Sequence, residues 1–291
     1  MFIDIHVHSR LVHGFKRYGK DAYATPEQLL ERYDAIGVER AVVLPGINPE
    51  CSYAPQSIED VLLMAEKYPG RFIPFCNVDP RAISNSSDAP LGDFLSFYKD
   101  KGCKGVGEIG ANLPFLHPMV QNLFKNTEKV GLPITFHIAS TIGGTYGLYD
   151  DPGLPQLEAS LRSFPKLVFL GHSQSFWAEI GRLLTPGDRW GYPTYPVFEE
   201  GVVPHLMRRY PNLYGDLSAG SGCNALSRDP EYAVKFLNEF QDRLLFGTDI
   251  CAPDTPTPLV DFLLNLKNTG KISEAVFRKV ARENAVKLLG L

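Results

Sequence analysis

Cysteine is sparse in this chain. Its five cysteines (Cys51, Cys76, Cys103, Cys223 and Cys251) are odd in number and form no CxxC pair. That spacing argues against both a disulfide scaffold and a thiolate zinc site, so reduced thiols in a cytoplasmic protein are the expectation. Long apolar runs are missing as well: none approaches the ~20 residues that span a bilayer. The opening Met1–His6 has neither the basic head nor the long apolar body of a signal peptide. There is no Lys/Arg run, and the formal net charge is −4, so neither nucleic acid nor membrane is an expected partner. No Ser/Gly-rich linker divides the 291 residues. No Gly-rich dinucleotide fingerprint follows the first apolar run, which weighs against an open nucleotide-binding sheet.

What is present is a repeated pattern of a short apolar run, a polar loop and a longer amphipathic stretch. The runs are Phe2–Val7, Ala41–Leu44, Phe72–Val78, Gly105–Ile109, Pro133–Ile138, Leu167–Leu170, Leu213–Leu217 and Leu244–Phe246. Short segments rich in Val, Ile and Phe suit strands buried on both faces. Between them lie helix signals. Thr25-Pro26-Glu27-Gln28 offers an N-cap, a first-turn proline and a capping box, and Ile36-Gly37 closes that helix. Ser57 and His117-Pro118 open others, and Ser273–Leu289 reads as a closing helix. Strands alternating with helices predict right-handed parallel crossovers and an α/β fold, a (β/α)8 TIM barrel formed as a single domain over residues 1–291. The connection between the sixth and seventh strands, about forty residues long, exceeds the usual loop. It contains Trp190, Tyr192 and Tyr195, read as packing or subunit contacts.

The polar residues of interest fall at strand ends. In Asp4-Ile5-His6-Val7-His8, alternation would place Asp4, His6 and His8 on one face and Ile5 and Val7 on the other. Two imidazoles at that spacing suit one cation, zinc above all, and Asp4 could orient a ligand ring. His137, His172 and Asp249 close the fifth, sixth and eighth runs, and Glu108 lies in the fourth. Active sites of this barrel are built at that rim, and a metal held by His6, His8, His137 and Asp249 is the leading expectation. His13, His117 and His205 lie away from strand ends and read as surface or packing residues. Glu108 could alternatively pair with Lys104, and Asp216 could cap a turn or touch substrate from its rim position. Asn112 and Leu113–Phe115 could line the pocket.

This combination resembles the amidohydrolase superfamily, in particular its amidohydrolase-related branch. The resemblance runs from the His6-Val7-His8 pair through Gly171-His172 and Phe246-Gly247-Thr248-Asp249 to the C-terminus. It implies His6, His8 and Asp249 as metal ligands, His137 as a shared or direct ligand, and His172 as a catalytic or second-metal histidine. Glu108 stands where many members carry a carboxylated lysine. That resembles the metal-dependent deoxyribonuclease branch and implies a carboxylate able to bridge a second cation with His137 and His172. One or two divalent ions would then activate water against an amide, ester or lactone of a small molecule, with Asp249 accepting a proton and a protonated His172 assisting. The same branch includes decarboxylases and hydratases acting on aromatic or unsaturated acids, for which Arg10 is the one arginine close behind a strand end. A barrel that only binds, without catalysis, is the reading of another class. The sequence leaves the oligomeric state open, a homodimer being the commonest soluble assembly.

Overall fold

The computed structural model describes residues 1–17, 19–51 and 55–291. The strands are Phe2–Val7 (β1), Val38–Val43 (β2), Phe72–Pro74 (β3), Val106–Ile109 (β4), Ile134–Ala139 (β5), Phe169–His172 (β6), Leu213–Asp216 (β7) and Leu244–Leu245 (β8). β1-β2-β3 form one parallel ladder and β4 through β8 another. Both seams between the ladders are closed. At one, Cys76 bridges to Val106, with the Cys76 amide donating to Gly105 O (3.0 Å) and the Gly107 amide to Cys76 O (2.8 Å). At the other, Val7 bridges to Ile250, and the Ile5 amide donates to Phe246 O (2.9 Å). The sheet therefore closes on itself, the barrel expected from the alternating runs.

Local chemistry accounts for the helices around it: Pro26–Ile36 (α1), Ile58–Lys67 (α2), Leu91–Asp100 (α3), Pro118–Val130 (α4), Pro155–Ser163 (α5), Val202–Arg209 (α6), Pro230–Glu239 (α7) and Pro258–Asn268 (α8). Thr25 and Gln28 form a reciprocal capping box on α1, and Gly37, at φ +78°, ends it in the left-handed region that a side chain would disfavour. Ser57 caps α2 and the His117 ring accepts from the Met119 amide at the start of α4, so His117 is a cap. His13 is exposed beside Asp21, and His205 is exposed on α6. The closing helix over 273–289 is interrupted by a π-type turn at Lys279–Glu283. No helix among the described residues is long and apolar enough to cross a membrane.

Two apolar layers result. One gathers Ile3, Ile5, Val42, Leu44, Ile73, Phe75, Leu170 and Leu245, residues from strands on opposite sides of the barrel, and so fills its interior. The other packs the outward residues, among them Val7, Phe136, Phe169 and Phe246, against the helices. Ile5 and Val7 thus lie in different layers, which corrects the simple alternation expected for β1. The pairing of β1 with β2 shifts register between Asp4 and Val7, so parity changes within the strand. Asp4 consequently turns towards Tyr33 on α1, whereas His6 and His8 face the rim.

The forty-residue connection is organised by a buried arginine. Arg189 Nε donates to Glu179 Oε1 (2.6 Å) and Nη1 to Asp150 O (2.7 Å). Trp190 and Tyr192 are exposed and do not pack into the core, while the Tyr195 hydroxyl donates to Asp188 (2.7 Å). The cysteines Cys76, Cys103 and Cys223 are buried, Cys251 is half-buried, and none of the four is in a disulfide. The Cys51 side chain lies outside the described residues.

Candidate metal centre

The C-terminal ends of the strands bring the residues singled out from the sequence into one cluster. β1 supplies His6 and leads directly into His8, β4 supplies Glu108, β5 His137 and β6 His172, and the segment after β8 supplies Asp249. Asp249 has φ +53°, a strained setting that Asp tolerates better than most side chains. It is held there by its amide, which donates to His6 O (2.8 Å). Two close approaches require glycine. A Cβ on Gly247 would sit 2.6 Å from Ser218 Cβ, and one on Gly147 would sit 2.8 Å from His137 Cδ2.

Distances within the cluster define overlapping donor groups, one of which joins Cys251 to His8 and Asp249. His6 Nε2 and His8 Nε2 are 3.2 Å apart, and Asp249 Oδ1 lies 3.6 and 3.8 Å from them. Glu108 Oε2 lies 3.7 Å from His6 Nε2 and 3.4 Å from His8 Nε2. On its other side Glu108 Oε1 is 2.8 Å from His137 Nδ1 and 3.7 Å from His172 Nε2. His137 thus groups with Glu108 and His172, away from the quartet with His6, His8 and Asp249 anticipated for it. Glu108 faces imidazoles on both sides, so the alternative pairing with Lys104 is not what the structure shows.

The fit to a cation can be judged from these separations. Bonds of about 2.0–2.1 Å in a tetrahedral centre imply donor–donor spacings of about 3.3 Å. The spacings of His6 and His8 to each other, to Glu108 and to Asp249, 3.2–3.8 Å, lie close to that value. Imidazole nitrogen with carboxylate oxygen is also the donor chemistry that zinc and similar divalent ions prefer.

The rings are orientated for this. His8 Nδ1 is 2.9 Å from Leu44 O, which can only accept, so Nδ1 donates there and Nε2 is the nitrogen turned towards Glu108 and Asp249. His6 Nδ1 donates in the same way to Asp216 Oδ2 at 2.6 Å. Asp216, whose other oxygen accepts from the Ser218 amide (3.0 Å), is therefore both a turn cap and the ring partner of His6. Asp4 was expected to orient a ring. It instead accepts from the His6 amide (3.0 Å), the Thr248 amide (2.9 Å) and the hydroxyls of Tyr33 (2.7 Å) and Thr248 (2.5 Å), fixing the backbone on which His6 stands.

Burial and charge set the protonation of the cluster. Burial alone would depress His6, but Asp216 and Asp249 outweigh it and hold its pKa well above the usual value. Burial would raise Glu108 and Asp216. Hydrogen bonds from His137, His6 and His8 hold Glu108 well below the usual range, and His6 and His172 keep Asp216 low. His172 is pushed down to about 4 by burial and then by His6, so it is neutral near pH 7, which runs against a protonated role. Its Nδ1 lies 2.9 Å from Ser218 Oγ.

A cavity of about 440 Å³ opens in front of the cluster, bounded by His8, Glu108 and Asp249 below and by Tyr23, Glu50 and Tyr146 around its wall. Arg10 does not line it, and its guanidinium lies against Gly14. Asn112 braces the rim rather than lining the cavity: its side-chain amide donates to Thr141 O (3.0 Å) and Gly147 O (3.1 Å).

Comparison with known proteins agrees with the barrel fold. Residues 3–291 match the family described as Amidohydrolase. Among solved structures, a TIM-barrel protein of uncharacterised function from Bordetella bronchiseptica is 18% identical, with a TM-score of 0.65 over 99% of this chain and 98% of that one. The 5-carboxyvanillate decarboxylase of Sphingomonas paucimobilis is 16% identical, with a TM-score of 0.61 over 100% and 99%. A zinc-bound amidohydrolase from Burkholderia multivorans is 14% identical, with a TM-score of 0.61 over 100% and 99%. No curated protein matches the sequence.

Proposed function

The chain belongs to the amidohydrolase family, and we propose that it is a metal-dependent hydrolase of a small-molecule amide, ester or lactone. The observation that carries this reading is the position of Glu108, with Oε2 facing His6 and His8 and Oε1 facing His137 and His172. A carboxylate so placed can be shared between two cations. His6, His8, Asp249 and Glu108 would hold one, and Glu108, His137 and His172 the other, zinc being the ion best matched to these donors. When bound, such ions lower the pKa of water and polarise a carbonyl.

The residues themselves do the rest. Asp216 and Leu44 O engage Nδ1 of His6 and His8, so Nε2 is the nitrogen of each ring that would be offered to a cation. Asp249 presents Oδ1 to those two rings and Oδ2 towards His172 Nε2 at 3.9 Å. Asp249 Oδ2 is thus the atom positioned to take a proton from the attacking water and return it to the leaving group. His172, held neutral by burial and by His6, would keep a ring lone pair available to the second cation. The low exposure of His6, His172 and Asp216 excludes bulk water from the base of the site, which strengthens each of these interactions.

The test is elemental analysis of protein purified without chelator, alongside turnover of an amide, ester and lactone panel. Two equivalents of metal are expected, falling to one in Glu108→Ala. An Asp249→Asn variant should lose about a thousand-fold in kcat. Full turnover by Asp249→Asn, or wild-type protein that binds no metal, would overturn the proposal.

A further inference from the structure

The walls of the cavity carry information about what enters it. Among the described residues that line it, Glu50, Glu108 and Asp249 are acidic and none is a lysine or arginine. Two of the three acids belong to the donor cluster. Glu50 does not; it stands in the loop after β2, on the wall.

Glu50 is fixed in place. Its Oε1 accepts from the Asn112 amide (3.0 Å) and its Oε2 from Arg81 Nη2 (2.9 Å). Burial would favour the neutral acid, but the bond from Arg81 and then that from Asn112 hold it below the usual range, so it is anionic at neutral pH. Arg81 does not cancel that charge, because the same guanidinium also grips Asp79 through Nε (2.7 Å) and Nη2 (2.7 Å). Asp79 in turn accepts from Asn48 Nδ2 (2.8 Å), and Asn48 Oδ1 accepts from the Gly110 amide (2.8 Å). One polar network therefore ties together the loops after β2, β3 and β4. It carries two carboxylates against one guanidinium and leaves Glu50 at the cavity wall.

We infer that Glu50 is a specificity-determining residue, which accepts a hydrogen bond from a hydroxyl or ammonium group on the substrate's non-reacting end and rejects substrates carrying a carboxylate there. This rests on the metal-centred reading above and narrows its substrate class. The physical basis is a difference of two interactions. A donor meets a preorganised anion whose position costs nothing further on binding. A carboxylate at that end meets a like charge, and no lysine or arginine among the described lining residues offsets it.

The probe is a set of benzohydroxamates, anchored at the metal by the hydroxamate and carrying aminomethyl, hydroxymethyl or carboxylate at the meta or para position. Their affinities for the metal-loaded protein are measured by calorimetry, with unsubstituted benzohydroxamate as reference. At the better ring position, wild type should bind the aminomethyl compound at least ten-fold more tightly than the carboxylate, with hydroxymethyl between. In Glu50→Gln that spread should collapse to within about three-fold, chiefly through loss of aminomethyl affinity. A carboxylate preference in wild type overturns the inference. So does a uniform weakening of all the compounds in Glu50→Gln, since a merely structural role would act on all alike. If none of the hydroxamates, the reference included, binds the protein, the metal reading beneath it has failed and this one falls with it. Tight binding without the expected order strikes the Glu50 assignment alone.

Discussion

Asp216 Oδ2 lies 2.6 Å from His6 Nδ1, and both side chains are fully buried. The pair fixes Nδ1 of His6 as the nitrogen that donates to Asp216, and so turns Nε2 towards Glu108 and Asp249. Partners of this kind raise the basicity of a ligating imidazole and lock its plane. Asp216→Asn retains an acceptor but removes the charge. Metal affinity, measured by competition with a chromophoric chelator, should fall about 10- to 100-fold, with turnover falling in step. Unchanged affinity would show that His6 needs no such partner.

A second prediction concerns Asp4, which accepts four hydrogen bonds and offers none. Burial is the largest influence on it and raises its pKa to about 6, against the pull of those donors. Asp4→Asn puts an NH2 group where a hydroxyl or amide already donates, leaving at least one buried donor unpaired. The expected cost is roughly 2–3 kcal/mol. By the usual entropy of unfolding for a chain of this length, that lowers the melting temperature by roughly 3–6 °C. The midpoint should drop in the metal-free protein too, because the defect lies in the backbone support and not in the ligands.

Much of this was legible in the residues. The eight apolar runs fall on the eight strands, and the polar residues at their ends converge as the barrel rule requires. The reason is simple: strand ends in a closed parallel barrel all face one rim, so position in the run stands in for position in space. What could not be read depends on register and packing. The irregularity in β1 sends Asp4 to Tyr33 on α1, because pairing with β2 and not local alternation decides which way each side chain turns. Asp216 already stood at a strand end, but its bond to His6 spans 210 positions, and no local pattern encodes it. Glu50 had no strand-end signal, since it is placed by Arg81 and the Asn112 amide from neighbouring loops.

A third prediction tests how the long connection after β6 is held. Arg189 and Glu179 are buried and paired at 2.6 Å, and Glu179 Oε2 also accepts from the Gly153 amide (2.7 Å). Burial nonetheless raises the Glu179 pKa, with Arg189 opposing it, so desolvation exceeds what the pair recovers. Removing one partner should therefore hurt more than removing both. Arg189→Met should cost about 3–5 kcal/mol and lower the melting temperature by roughly 5–10 °C. Adding Glu179→Gln to Arg189→Met should restore part of the loss. A double variant less stable than Arg189→Met would show that the pair contributes more than its desolvation costs.

The pH dependence of stability supplies a fourth. Asp150 accepts from the amides of Leu157 (2.7 Å), Gln156 (3.1 Å) and Asp151 (2.8 Å) at the start of α5, yet burial, the largest influence, pushes its pKa from 3.8 to about 6. Its folded pKa lies above its unfolded one, so between about pH 4 and 6 the native state holds more of this proton than the unfolded state. The stability linked to Asp150 is then fully present below about pH 4 and is lost as the pH rises through about 6. Asp150→Asn keeps an acceptor for the helix amides but cannot titrate. Melting temperatures followed from pH 4 to pH 7 in a chelating buffer should show wild type losing roughly 2–3 kcal/mol more than Asp150→Asn over that window. Parallel curves would mean that the three amides, and not burial, decide the charge of this carboxyl group.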